Sequence, residues 1–346
     1  MKNTDLNQTG EMAAVLFCFP HLQNSCPRTL RLSVIRVAMY AFMLTTILMT
    51  VCGNLLVIIA ISHFKQLHSP TNFILISLAL VDCCLGCFVM PFSMLRTVEG
   101  CWYLGKHFCR VHSSLDIMFS TVSILHLCLV SIDRYRAICH PLQYKTNVST
   151  LNVIIYIVVI WLTASTFSFG LVFSEVTTEN FKTLVLLDSC IGSCVFICGK
   201  QCGITVFLVA FFIPGTVMSC LYIKIFHVAR KHARVISDRM ATVACHELKN
   251  RVSEQRERKA AKTLAIVMCV FLLCWVPFLC ASLVDPFLNF VTPVDVFEAL
   301  FWFGYFNSTC NPVIYAFFYL HFRKAFKIII AKIFGLKITS TTLFSS

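Results

Sequence analysis

Charge is what this chain has least of. Only 13% of its 346 residues are Asp, Glu, Lys or Arg, and acids are the rarer kind, 16 against 29 basic residues. With 58% hydrophobic residues and a mean hydropathy of +0.79, a water-soluble domain of this size is excluded, because it would need far more polar surface. Internal repeats are also missing, which argues against a transporter built from inverted halves. The apolar runs do not alternate, which argues against a β-barrel. No serine on a glycine-rich turn partners His126, and Asp82 and Asp116 lie at different levels, so an intramembrane hydrolase finds no constellation. The Met12–Pro20 stretch lacks the basic flank of a cleavable signal peptide, and no cysteine follows Cys310 to carry a tail palmitate.

What is present is hydrophobic length. Runs near twenty residues occupy 35–63, 72–95, 107–132, 150–173, 202–227, 261–285 and 294–319, each able to cross an apolar layer of about 30 Å. The expected fold is all-α: a short arm over 1–33, a bundle of seven spanning helices over 34–319, and an amphipathic helix and tail over 320–346. Between Lys224 and Lys262 there are eleven Lys/Arg against four Asp/Glu, and Arg323, Lys324 and Lys327 follow the last run. The positive-inside rule makes these faces cytoplasmic and the N-terminus extracellular, as expected of a multi-pass cell-membrane protein. The net charge of +13 tracks these loops, so nucleic acid is not an expected partner. From Tyr319 to Lys332, Phe322, Phe326, Ile329 and Ile330 interleave with basic residues, which suits a helix lying on the inner-leaflet lipid.

Most of the 20 cysteines lie in the spans as small apolar residues. Cys18, Cys26, Cys101, Cys109, Cys190 and Cys194 fall outside. An even number in an oxidising compartment implies three bridges, with the pairing left open. Cys190 or Cys194 tied to Cys109 would fold the 174–200 loop over the bundle as a lid, and Cys26 or Cys18 would tie the arm to Cys190 or Cys101. Asn7-Gln8-Thr9 is a glycosylation sequon on the outer side, whereas the matches at Asn147 and Asn307 fall in a cytoplasmic loop and a span.

Against so apolar a background the few polar residues carry the information, since an ionisable group inside a spanning helix marks a functional site by default. The stretch from Lys106 to His140 holds Asp116 near its outer end and Asp133-Arg134-Tyr135 at its inner end. Asp116 and Arg134 are eighteen positions apart, about five turns and 27 Å on one face. That is a charge to meet a ligand and a charged latch on one rod. No Lys or Arg lies at matching depth in the spans, so the cation for Asp116 is expected from outside. Trp275, Phe278, Phe301, Trp302 and Tyr305 supply an aromatic wall, worth ~0.5–2 kcal/mol per cation–π contact, and Tyr305 can hold the Asp116 rotamer. Asp82, with Ser123, Asn307, Ser308 and Asn311, forms either a structural network or an oxygen pocket for sodium, with no other cofactor expected. Arg134 can reach Glu257 at the start of the sixth span, with Tyr222 and Tyr315 placed to restabilise a moved helix. Pro214, Pro277 and Pro312 each remove a backbone hydrogen bond and predict kinks.

Asn54, Asp82, Asp133-Arg134-Tyr135, Trp161, Pro214, Cys274-Trp275-Val276-Pro277 and Asn311-Pro312-Val313-Ile314-Tyr315 fall one per span, in the order of the rhodopsin-like G-protein-coupled receptors, which the chain resembles from about 35 to 330. Ser62 to Phe73, Glu99-Gly100-Cys101-Trp102-Tyr103, Glu257 to Leu264 and Trp302 to Ser308 narrow the likeness to the trace amine-associated receptors. Asp285-Pro286-Phe287-Leu288-Asn289-Phe290 leans toward their primary-amine-preferring subgroup. The chain departs from the pattern at Tyr319-Leu320-His321-Phe322, where a tryptophan is usual, and at Leu162-Thr163-Ala164-Ser165, which lacks a proline. The resemblance implies a receptor, not an enzyme, whose ligand is a small primary amine held by Asp116, Ile117, Phe207, Trp275, Phe278, Phe301, Trp302 and Tyr305. It implies a Cys109–Cys194 bridge and an Arg134–Glu257 latch. It further implies coupling to a heterotrimeric G protein of the Gs/Golf type, raising cAMP in a chemosensory setting. The alternatives are a non-olfactory receptor for another amine, or a receptor with relaxed function.

Overall fold

The computed structural model describes residues 16–140, 143–144, 149–173, 190–194, 200–239, 247–288 and 291–335; within these, the side chains of 200–202, 229–239, 247–264 and 320 are not described. Asn7 and Asn147 lie outside the described residues, as does the side chain of Glu257.

Eight long helices make up the described chain. They are α1 (Ser33–His63), α2 (Pro70–Glu99), α3 (Gly105–Cys139), α4 (Thr150–Phe173), α5 (Lys200–Val206, Phe207–Phe212 and Ile213–Arg239 in succession), α6 (Glu247–Val284), α7 (Val294–Phe318) and α8 (Leu320–Ile333). The first six each contain a window long and apolar enough to cross a membrane. α7 misses that standard because Asn307, Ser308, Thr309 and Asn311 lower its hydropathy, and all four are buried against neighbouring helices. α3 is the hub, packing on α2, α4, α5 and α6, while α1 and α7 close the ring. This is the expected seven-span bundle. α8 docks beneath it, burying Phe322, Ala325, Phe326 and Ile329 against α1 and Tyr315, at roughly 1.5–3 kcal/mol for each large apolar side chain.

α2 shows how local sequence sets the geometry. Ser69 caps its first turn, Oγ accepting from the Asn72 N–H at 3.3 Å, and Pro70 fits the first position, where no N–H is needed. Gly100, at φ 64°, ends it in the left-handed conformation. Between them, Leu85–Val89 is a π turn immediately before Pro91. The extra residue rotates everything from Met90 to Glu99 by about 100° relative to an unbroken α-helix. Ser93, Arg96 and Thr97 thereby face the bundle. A second π turn, Phe207–Phe212, precedes Pro214 in α5, and Pro277 and Pro312 lie inside α6 and α7. The sequence reading had flagged those three prolines and passed over Pro91.

The N-terminal arm, expected as a polar tether, is folded from Leu16 onward. Phe17 bridges Pro27, Ser25 bridges Ile191, and the Trp102 N–H reaches the Gly192 carbonyl at 2.8 Å. Three disulfides stitch this cap: Cys18–Cys101, Cys26–Cys190 and Cys109–Cys194. Gly192, at φ 108°, has no alternative, since a Cβ there would lie 2.7 Å from that of Cys18. Glu99 holds the arm's other end by ion pairs to Arg28 and Arg36, the latter at 2.5 Å.

Candidate functional site

Asp116 sits on α3 with 6% of its surface exposed. Oδ2 accepts a hydrogen bond from the Tyr305 hydroxyl at 2.8 Å, while Oδ1 has no partner among the described residues. Tyr305 is itself held, 3.1 Å from Ser93 Oγ. Ser93 in turn lies 3.3 Å from His112 Nε2, which also meets the Val89 carbonyl at 3.2 Å. α2, α3 and α7 therefore fix one oxygen of the carboxylate and leave the other open. A buried acceptor left unpaired costs ~1–3 kcal/mol, more when charged, so the chamber suits an added cationic donor.

Aromatic rings line the approach. Trp275 meets Phe278 at 6.2 Å, Phe278 meets Phe301 at 4.9 Å, and Phe301 meets Tyr305 at 4.8 Å, a continuous chain from α6 to the Asp116 partner. Gly304 allows this closeness, because a Cβ there would lie 3.2 Å from the Trp275 ring. Phe297 extends the chain outward, 5.3 Å from Phe278. Ile117 is half-buried beside Asp116, and Phe207, also half-buried, lies in the α5 π turn 5.8 Å from Phe211. Trp302 takes a different part from the one expected. It packs edge-on against Tyr305 at 5.4 Å, donates Nε1–H to Thr97 Oγ1 at 3.2 Å, and lines a cavity of about 720 Å³ between α1 and α7. It braces Tyr305 from the side of α1.

One expectation is overturned here. Arg96 lies on α2, one residue past the apolar run assigned to it, and is close enough to act electrostatically on Asp116. It does not pair with Asp116; its partner is Glu298 at 3.2 Å. Glu298 and Asp285, read from sequence as acids at the mouth able to catch a second amine, are both occupied. Glu298 also accepts from Thr97 Oγ1 at 2.5 Å, and Asp285 accepts the Thr292 N–H at 3.0 Å. Ser93, Arg96 and Thr97 were missed as site residues, although their i, i+3, i+4 spacing is a polar stripe at the end of an apolar run.

Below this chamber, Asp82 is fully buried. Oδ1 accepts from Ser308 at 2.8 Å and Ser123 at 3.2 Å, and Oδ2 accepts from Asn311 at 2.8 Å. Asn307 is buried but makes no recorded bond to Asp82. The carboxylate and two hydroxyl oxygens are the hard donors a sodium ion takes, and the hydroxyls need only turn their protons away.

At the far end, Asp133 accepts from Thr71 at 2.7 Å and Tyr144 at 2.8 Å, and pairs with Arg134 at 2.6 Å. Arg134 also donates to Thr71. Tyr135 is half-buried, with its ring 5.8 Å from His140. Tyr222 packs on Phe226 at 6.4 Å, while Tyr315 is buried between Tyr319 and Phe322. His126 does find a serine, Ser77 at 2.9 Å, but that serine sits mid-helix and also accepts Trp161 Nε1–H at 3.0 Å. This is a buried strut between helices and not a nucleophile.

A family model described as the 7 transmembrane receptor (rhodopsin family) matches residues 53–315. Trace amine-associated receptor 4 of Mus musculus is 49% identical over 317 residues, 91% of each chain. Trace amine-associated receptor 2 of Homo sapiens is 48% identical over 319 residues, 92% of this chain and 89% of that one. Trace amine-associated receptor 1 of Homo sapiens is 45% identical over 321 residues, 92% of this chain and 95% of that one.

Proposed function

Since the chain belongs to the rhodopsin family of seven-transmembrane receptors, and within it to the trace amine-associated receptors, we propose that Asp116 binds the ammonium group of a small primary amine and that the bundle relays this to a heterotrimeric G protein. The observation that carries this reading is the unpartnered Oδ1 of Asp116, buried under an aromatic wall with its twin oxygen already held by Tyr305. An ammonium donates to that oxygen and faces the rings of Phe301 and Phe278. The resemblance supports coupling of the Gs/Golf type and a chemosensory role, with the N-terminus outside the cell and α8 on the inner-leaflet lipid.

The pocket favours one charged end and one apolar end. The outer half of α5 offers Val206, Phe207 and Ala210, with Thr205 exposed and no carboxylate. Two hydroxyls or a second ammonium buried there would lose ~1–3 kcal/mol per neutral polar group and more for a charge. In cells reporting cAMP, phenethylamine and isoamylamine are expected to rank above dopamine, putrescine and cadaverine. A panel led by dopamine or putrescine overturns this reading.

Asp133 and Arg134 supply the relay end. Asp133→Asn keeps the Thr71 and Tyr144 hydrogen bonds but removes the charge opposing Arg134, which frees the guanidinium for the G-protein side. Basal cAMP should rise several-fold at matched surface expression, and an unchanged basal level counts against the latch. Glu257 is proposed as a second inactive-state partner of Arg134. Sodium held by Asp82, Ser123 and Ser308 would stabilise the same resting state.

A further inference from the structure

Arg96 is a buried guanidinium that amine binding at Asp116 does not itself require. It stands three residues outward of Ser93 on α2, one helical turn on the same face. Ser93 touches the Tyr305 hydroxyl, and Tyr305 touches Asp116. Arg96 therefore caps the chamber directly above the proposed anchor, with its charge felt at both Asp116 and Tyr305. Two contacts keep it there. Nε lies 3.2 Å from Glu298 Oε1, and Nη1 donates to the Cys194 carbonyl at 3.4 Å. Both are long for charged partners, which usually meet at about 2.7–2.9 Å. Glu298 is gripped harder from elsewhere, by the Thr97 hydroxyl at 2.5 Å. The carboxylate is fixed, and the guanidinium is its neutralising cover.

Glu298 lies seven residues outward of Tyr305 on α7, about 10 Å of rise. The chamber thus contains a second carboxylate at a distance that an alkyl α,ω-diamine can bridge from Asp116. It is unavailable only because Arg96 covers it. We infer that the Arg96–Glu298 pair is a charge filter, which admits monoamines and rejects α,ω-diamines by masking the second acid and opposing the second ammonium. The inference rests on the reading of Asp116 as the ammonium anchor. Removing Arg96 leaves Glu298 buried and unpaired, a state that demands a replacement cation.

The test is the ratio of cadaverine potency to phenethylamine potency in full-length receptor, read as cAMP and normalised to surface expression. Arg96→Met should raise that ratio at least fivefold, and Arg96→Lys should hold it near the native value. Arg96→Met combined with Glu298→Gln should return it to within threefold of native, because the uncovered acid is gone. Should Arg96→Met fail to reach the surface, Arg96→Gln, which keeps a donor for the Cys194 carbonyl, carries the same expectation. A rise smaller than fivefold, or a raised ratio that survives Glu298→Gln, overturns the filter. Asp116→Asn run alongside separates the two readings. If it keeps the phenethylamine response, the anchor is wrong; if it loses that response while the Arg96→Met ratio stays flat, only the filter is wrong.

Discussion

Asp116→Asn is expected to give a receptor that reaches the cell surface and no longer answers amines. The substitution is nearly isosteric, and the side-chain carbonyl oxygen can still accept from Tyr305, so the ring chain through Phe301 and Phe278 keeps its place. What disappears is the charge on the oxygen that has no partner. Losing one side of a buried, hydrogen-bonded charge pair costs about 2–5 kcal/mol, or roughly 30- to 5,000-fold in potency. Tyr305→Phe should cost less, because it removes the hydroxyl that orients Asp116 and leaves the charge. Agonist dose–response and direct amine binding at matched surface expression decide the matter. Potency within threefold of the native receptor for Asp116→Asn removes the assignment.

The second large effect is expected from Cys109→Ser or Cys194→Ser. This bridge closes a loop of 85 residues between the top of α3 and the segment that supplies the carbonyl for Arg96. On the chain-entropy account such a loop is worth about 4–5 kcal/mol, comparable to much of a domain's net stability. Loss of nearly all amine-stimulated cAMP is expected, with a lowered unfolding temperature in purified receptor. Cys18→Ser should be milder, because the Cys26–Cys190 bridge still ties the arm to the same segment. Peptide mapping without reduction should recover Cys109 joined to the 190–194 segment. A free Cys109 thiol in folded receptor would contradict the arrangement.

The parts of this molecule that were readable in advance are those where chemistry is expensive. A carboxylate in an apolar run cannot be ignored, so Asp82, Asp116 and Asp133 stood out. The Tyr305 contact followed from its place in an aromatic stripe facing Asp116. Arg96 was missed for two physical reasons. It lies just past the last apolar residue of its run, and the π turn that swings it inward leaves no periodicity to read. Glu298 and Asp285 looked available because hydropathy does not report a partner; the one for Glu298 is 202 residues away. The arm was taken as polar and loose because its order comes from bridges and backbone pairing, not from an apolar face. α7 shows the converse, since its buried polar residues make a spanning helix look less apolar than its neighbours.

The wide turn at Leu85–Val89 makes α2 sensitive to length as well as to composition. An in-frame loss of one codon within those five residues would let the segment relax to ordinary α geometry, turning everything beyond it by about 100°. Ser93, Arg96 and Thr97 would then leave Tyr305, Glu298 and Trp302 together, although none of the three had been altered. An in-frame gain of one codon elsewhere in the helix would do the same in the opposite sense. Genetic variation in this receptor should therefore be scored at α2 by residue count, because a deletion that removes only an apolar side chain there dismantles a polar site two turns away.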